Sequence, residues 1–136
     1  MRVSILATGS NGNATLVETN DYKFLIDDGI SLISEGMFLA CSFLTNIVIP
    51  NTVKHISNYA FSGCSSLISL TLPEGLETIG RHAFSDCPSL SSIEIPSSVT
   101  SIGLSAFSGC GQLNSFVDNS ANLDIPPGLF ENSSIK

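Results

Sequence analysis

The sequence is short of charge, and shortest of positive charge. Its 136 residues hold five Lys and Arg against twelve Asp and Glu, for a formal net charge of −7, and only 12% of positions are charged, where an ordinary soluble domain carries roughly 25%. No basic run exists to neutralise a phosphate backbone, so nucleic acid is not an expected partner. Tryptophan is absent, and the four cysteines stand singly, without the paired C-x-x-C spacing of a zinc site. A secretory leader is lacking too: Arg2 is followed by residues 3–7 and then by polar positions, too short for an apolar leader core. The chain is therefore expected to stay in the cytoplasm. Apolar residues are what it has in quantity. At 43% hydrophobic and a mean hydropathy of +0.34, it has enough apolar surface to offset the entropy of ordering, which excludes a disordered polar chain. The length allows one domain. Residues 30–49 carry only Glu35 as a charge and are long enough to span a bilayer.

The apolar residues recur on a fixed step. Cys41, Cys64, Cys87 and Cys110 lie 23 residues apart each time. Phe38, Phe61, Phe84, Phe107 and Phe130 repeat the step, as do Ile33, Ile56, Ile79, Ile102 and Ile125. Further columns are Leu44, Leu67, Leu90 and Leu113; Ile47, Leu70, Ile93 and Phe116; and Pro50, Pro73 and Pro96. A period of 20–29 residues is that of leucine-rich repeats. Because Ile33, Phe38, Cys41, Leu44 and Ile47 have counterparts in later coils, the register argues against membrane insertion of residues 30–49.

Within one unit, Leu67, Leu70 and Leu72 with Thr71 between predict a short strand that Pro73 stops. Proline lacks the N–H that would continue a ladder, and Pro73-Glu74-Gly75 predicts a turn toward a second apolar segment at Leu76 and Ile79. Gly80 and Gly103 predict another bend. Ala60-Phe61, Ala83-Phe84 and Ala106-Phe107 are expected to open a helical turn that runs to the cysteine. The fold class that follows is an α/β repeat, a leucine-rich-repeat solenoid of about 4–5 coils. Each coil contributes about six or seven apolar side chains that form a continuous core only when stacked. With strands ~4.8 Å apart the stack is ~20–25 Å tall.

The runs Ala60-Phe61-Ser62-Gly63-Cys64-Ser65-Ser66-Leu67 and Ala106-Phe107-Ser108-Gly109-Cys110, each preceded by Pro-x-x-Val/Leu-x-x-Ile, resemble the BspA-like leucine-rich repeats. The resemblance implies a right-handed stack without catalytic residues that binds proteins, often at cell surfaces. Residues 33–136 are assigned to this solenoid. Residues 116–122 lose the pattern, with Asp118 at an apolar strand position and Asn122 in the Val/Leu column. The lattice returns at Ile125, Leu129 and Phe130, with Ser133 in the cysteine column. A frayed last repeat and an array cut short both fit.

Residues 1–32 have a different look. Val3-Ser4-Ile5-Leu6-Ala7, the loop Thr8-Gly9-Ser10-Asn11-Gly12-Asn13, then Ala14-Thr15-Leu16-Val17-Glu18 and Lys23-Phe24-Leu25-Ile26-Asp27-Asp28-Gly29 resemble the opening of metallo-β-lactamase-fold hydrolases, a β-hairpin followed by a third strand. In that family a His-x-His-x-Asp-His cluster binds the metal, whereas this chain has only His55 and His82. Phe24, Ile26, Ile30 and Ile33 nevertheless fall in register with Ile47, Ile49, Val53 and Ile56. The expectation is that residues 24–26 pair with residues 47–49 and that the hairpin caps the stack, since arrays of this kind need capped ends for solubility.

The candidate sites follow. The cysteine column is expected to be buried, reduced packing, since a free Cys behaves as a small hydrophobe. Residues 9–13 read as a hairpin loop, because no Lys-Ser/Thr follows as a phosphate loop requires. Asp27 and Asp28 read as solvated acids, and His55 and His82 stand in different columns, away from any nucleophile. No metal, cofactor or catalytic residue is assigned. The candidate partner-binding surface is the outward strand face: Thr45, Asn46 and Val48; Ile68, Ser69 and Thr71; Ser91, Ser92 and Glu94; and Asn114, Ser115 and Val117. Val48 and Ile68 are candidates for an apolar contact patch. The reading is a non-catalytic module for an unidentified protein partner, with self-association through the open stack ends as a second route. The alternative is a fragment or remnant of a metallo-β-lactamase-fold hydrolase lacking its metal ligands.

Overall fold

The computed structural model describes residues 2–9, 12–18 and 24–26 as backbone strands, and residues 29–121 and 123–135 in full. Strands β1 (Arg2–Gly9) and β2 (Gly12–Glu18) form an antiparallel hairpin that runs in register from Arg2 opposite Glu18 to Gly9 opposite Gly12, with a shift between Ile5 and Ala7. Strand β3 (Phe24–Ile26) is the junction. It pairs antiparallel with β2 on one edge and parallel with β5 (Asn46–Val48) on the other. Phe24 pairs with Ile47, the register obtained by extending the 23-residue lattice backward.

From β3 onward the chain coils as a parallel solenoid. One wall carries β5, β7 (Ser69–Thr71), β9 (Ser92–Ile95) and β11 (Ser115–Asp118); the second carries β4 (Leu32–Ile33), β6 (His55–Ile56), β8 (Thr78–Ile79) and β10 (Ser101–Ile102). Paired residues are one repeat apart, as in Asn46 with Ser69, Ile56 with Ile79 and Val117 with Glu94. Side chains alternate between the two faces of a strand, and β9 shows it: Ile93 and Ile95 are buried, Ser92 and Glu94 exposed. The second wall is continuous from β4 to β10, whereas the first is interrupted. The order β1-β2-β3-β5-β7 ends there, and β9 and β11 form a separate ladder. The seam between β7 and β9 keeps a hydrogen bond from the Ser91 amide to the Ile68 carbonyl, 3.3 Å.

The third side of each coil is not the helical turn expected from the sequence. Among the described residues it is a run of turns whose amides alternate between two destinations. Ala60, Ser62 and Cys64 donate to carbonyls three residues back, whereas Tyr59, Phe61 and Gly63 donate to Arg81, Ala83 and Ser85 of the next coil at 2.8–2.9 Å. An α-helix directs each interior amide to the carbonyl four residues earlier and would leave nothing to join the coils. The geometry requires a left-handed residue at both ends of the arm. Gly36, Tyr59, His82, Ser105 and Gly128 form one such column, and Ala40, Gly63, Asp86, Gly109 and Asn132 the other, all with φ between 52° and 76°.

The columns meet in the core. Phe38, Phe61, Phe84 and Phe107 are fully buried, and their rings stack at centroid separations of 5.1, 5.2 and 5.5 Å. Phe130 continues the stack at 6.3 Å. Gly80 and Gly103 stand where the chain leaves β8 and β10 for the arm, and neither has a left-handed φ. A Cβ on Gly80 would fall 2.5 Å from the Asn58 nitrogen, and one on Gly103 would overlap the backbone of Arg81, so close approach between coils is what demands glycine there.

Some residues leave their columns. Leu70 and Phe116 are half-buried where Ile47 and Ile93 are buried. Ile125 is 51% exposed, since no strand forms around it to extend the wall that ends at β10. Asp118 does not break its strand: β11 runs through it, opposite Ile95, and its exposed carboxylate accepts from the amide and hydroxyl of Ser120. Phe116 turns edge-on to Phe130, at 4.8 Å, and to Phe107, at 5.9 Å, covering the last rings of the stack.

Candidate protein-binding groove

The strand wall presents two rows of outward side chains across successive coils. One row is Asn46, Ser69, Ser92 and Ser115, and the other is Val48, Thr71, Glu94 and Val117, because paired residues lie one repeat apart. Ser69 donates a hydrogen bond to the Asn46 side-chain oxygen, which ties the first two members of that row. Over β7, β9 and β11 the wall hollows into a groove of about 700 Å³. Leu70, Leu72 and Ile93 contribute to it from the unladdered seam, and Pro73 and Pro96 from the turns that end the strands. Of these Leu72, Ile93, Pro73 and Pro96 are buried, so the accessible apolar side chains of the groove are Leu70, half-buried, and Val117, exposed.

Half of the residues assigned to this face come together in the groove. Ser69, Thr71, Ser92, Glu94, Ser115 and Val117 line it. Thr45, Asn46 and Ser91 are half-buried, while Val48, Ile68 and Asn114 are exposed outside it. The apolar patch expected at Val48 and Ile68 consequently lies beside the groove rather than in it. Sequence reasoning missed Asn51, Glu74 and Asn119, which line the groove from the turn after each strand. The signal was available in the proline column: Asn51 and Glu74 follow Pro50 and Pro73, and Asn119 stands one repeat beyond Pro96.

Two carboxylates stand in the groove and each is held on one oxygen. Glu94 Oε1 accepts from Asn119 Nδ2 at 2.7 Å, and Glu74 Oε2 accepts from the Ser97 hydroxyl at 3.2 Å. No Lys, Arg or His lines the groove.

The remaining candidates are dispersed. Cys64, Cys87 and Cys110 are buried, and each thiol donates to the carbonyl of the phenylalanine 26 residues earlier, at 3.1–3.2 Å. Cys41 differs from the burial expected of it in being only half-buried. Burial, reinforced by the neighbouring Cys64, pushes the Cys41 thiol up to about 11. Burial also lifts Cys110 to about 11, and Cys87 is raised by its hydrogen bond with Cys64 and by burial. His55 bonds Thr78 Oγ1 through Nδ1 at 2.8 Å, with Nε2 3.9 Å from Glu77. His82 stacks on Tyr59 at 5.0 Å. Among the described residues no three His, Cys, Asp or Glu side chains gather in a group able to hold a metal. Ser10, Asn11, Asp27 and Asp28 lie outside the described residues. No helix among those described is long and apolar enough to cross a membrane, and residues 30–49 form β4, an arm and β5.

Residues 19–136 match the BspA type leucine rich repeat region, in six copies. The chain belongs to the BspA-type leucine-rich repeat family. Solved structures share the fold. A leucine-rich repeat protein from Bacteroides ovatus is 25% identical with a TM-score of 0.58, covering 96% of this chain and 43% of its own. The pneumococcal vaccine antigen PcpA is 19% identical with a TM-score of 0.63, covering 98% and 49%. A leucine-rich repeat protein of T. pallidum is 20% identical with a TM-score of 0.53, covering 82% and 79%. No curated protein matches. The chain thus spans less than half the length of the Bacteroides and pneumococcal proteins. The comparisons give no support to a metallo-β-lactamase origin for residues 1–32: the BspA-type match already takes in residues 19–32, and these three structures are similar over 82–98% of the chain.

Proposed function

We propose that this BspA-type chain is a protein-interaction module that engages a partner protein through its strand face, at the groove over β7, β9 and β11. The observation that carries the reading is the groove itself, with six outward strand residues converging on it, Val117 and the half-buried Leu70 as apolar contacts among polar neighbours. Binding surfaces of this kind pair a few apolar contacts with polar groups that set orientation. Repeat stacking supports the face, because each of its strands is laddered to a neighbouring coil, β7 to β5 and β9 to β11.

A photo-cross-linking side chain placed at Val117, within the groove, or at Tyr59, on the arm, tests this in the source organism. Capture of one protein species from Val117 alone, abolished by Ser92→Arg, supports the reading. Equal capture from both positions, or insensitivity to Ser92→Arg, places the contact elsewhere.

A further inference from the structure

The groove has a chemistry of its own, and we infer that it takes an extended segment of the partner bearing a lysine or arginine. The inference rests on the proposed role of the strand face and specifies what that face selects. The half-buried Leu70 and the exposed Val117 give the groove its accessible apolar surface, and Glu74 and Glu94 are its two charges, with no cation lining it. Each carboxylate has one oxygen held by a neighbour, Asn119 or Ser97. That contact fixes the group's direction and leaves its second oxygen to accept. An apolar surface flanked by oriented carboxylates suits a side chain with an aliphatic stem and a cationic head, which buries the stem and keeps the head at a wet, negative rim. An aliphatic residue would cover that surface but leave both acids unanswered, and an acidic one would face two like charges. The chain's charge of −7 adds a long-range pull of the same sign on a basic segment.

Panning a random nonapeptide phage library against the full chain, with counter-selection on Glu74→Gln/Glu94→Gln, tests this without presuming a sequence. Clones lost on the double variant are expected to share a Lys or Arg. Each single substitution should weaken binding about two- to fivefold, the size of a partly exposed ion pair, and added salt should weaken it further. Glu35→Gln, on the first arm, serves as the control and should change nothing. Groove binders that are neutral or acidic, or that are indifferent to the double variant, would overturn the charge selectivity and leave the groove as a contact surface. A library that yields only binders insensitive to Ser92→Arg would remove the groove as well.

Discussion

At Ala40 and Gly63 the same backbone conformation is met by different residues, with φ of 56° and 76°. A side chain in this region costs roughly 1–2 kcal/mol, from which glycine's extra chain entropy must be subtracted. Ala40→Gly is therefore expected to stabilise the protein by about 0.5–1 kcal/mol, read as a higher urea midpoint. Gly103→Ala should act in the opposite direction by at least roughly 2 kcal/mol, because the new methyl meets the backbone of Arg81 rather than a side chain that can move aside. The thiols couple residue chemistry to pH. Cys41 and Cys110 are both lifted from an ordinary value of 9.0 to about 11, so between those values the unfolded chain loses protons that the folded chain keeps. Their contribution is fully present below about pH 9 and declines as the pH rises toward 11. Urea midpoints should fall over that interval, and less so in Cys41→Ala/Cys110→Ala. At pH 8 a thiol reagent should reach Cys41 first, since the other three are buried; equal rates at all four would contradict the packing described.

The phenylalanine stack is the element whose strength depends on position. Phe84 lies between Phe61 and Phe107, at 5.2 and 5.5 Å, and is fully buried, whereas Phe130 is only partly buried. Phe84→Ala should cost about 3–5 kcal/mol, and Phe130→Ala distinctly less. Equal losses in chemical denaturation would mean that the coils do not unfold through nearest-neighbour coupling. The stack was legible in the sequence because a 23-residue step on an aromatic residue has one simple structural meaning. The arm was less so. Ala-Phe-Ser resembles the start of a helical turn by composition, and nothing local in Tyr59 or His82 announces a positive φ. That conformation is imposed by hydrogen bonds to a coil 23 residues away. At Gly80 and Gly103 the bend from the second wall into the arm was visible in sequence, whereas the inter-coil clearance that excludes a Cβ there was not.

Across the whole molecule, the strand face could be placed from alternation alone, but the groove could not. It spans β7, β9 and β11 across the lapse of pairing between β7 and β9, and its acid at Glu74 comes from a turn that the strand pattern does not cover. The N-terminal end follows from a simpler argument. Parallel coils leave an open edge at each end of a wall, and a free edge invites pairing with another chain. At β3 that edge is taken by β2, whose residues Leu16, Val17 and Glu18 pair antiparallel with Ile26, Leu25 and Phe24. The reversal of direction matters, because an antiparallel partner interrupts the parallel coil-to-coil register that a second solenoid would need to continue. We propose on this basis that β1 and β2 act as the cap of the array. Removal of residues 1–18 should expose the β3 edge, lower the thermal midpoint, and make the light-scattering mass rise with protein concentration. A truncated chain that stays monomeric and equally stable would show that the hairpin does not serve as a cap.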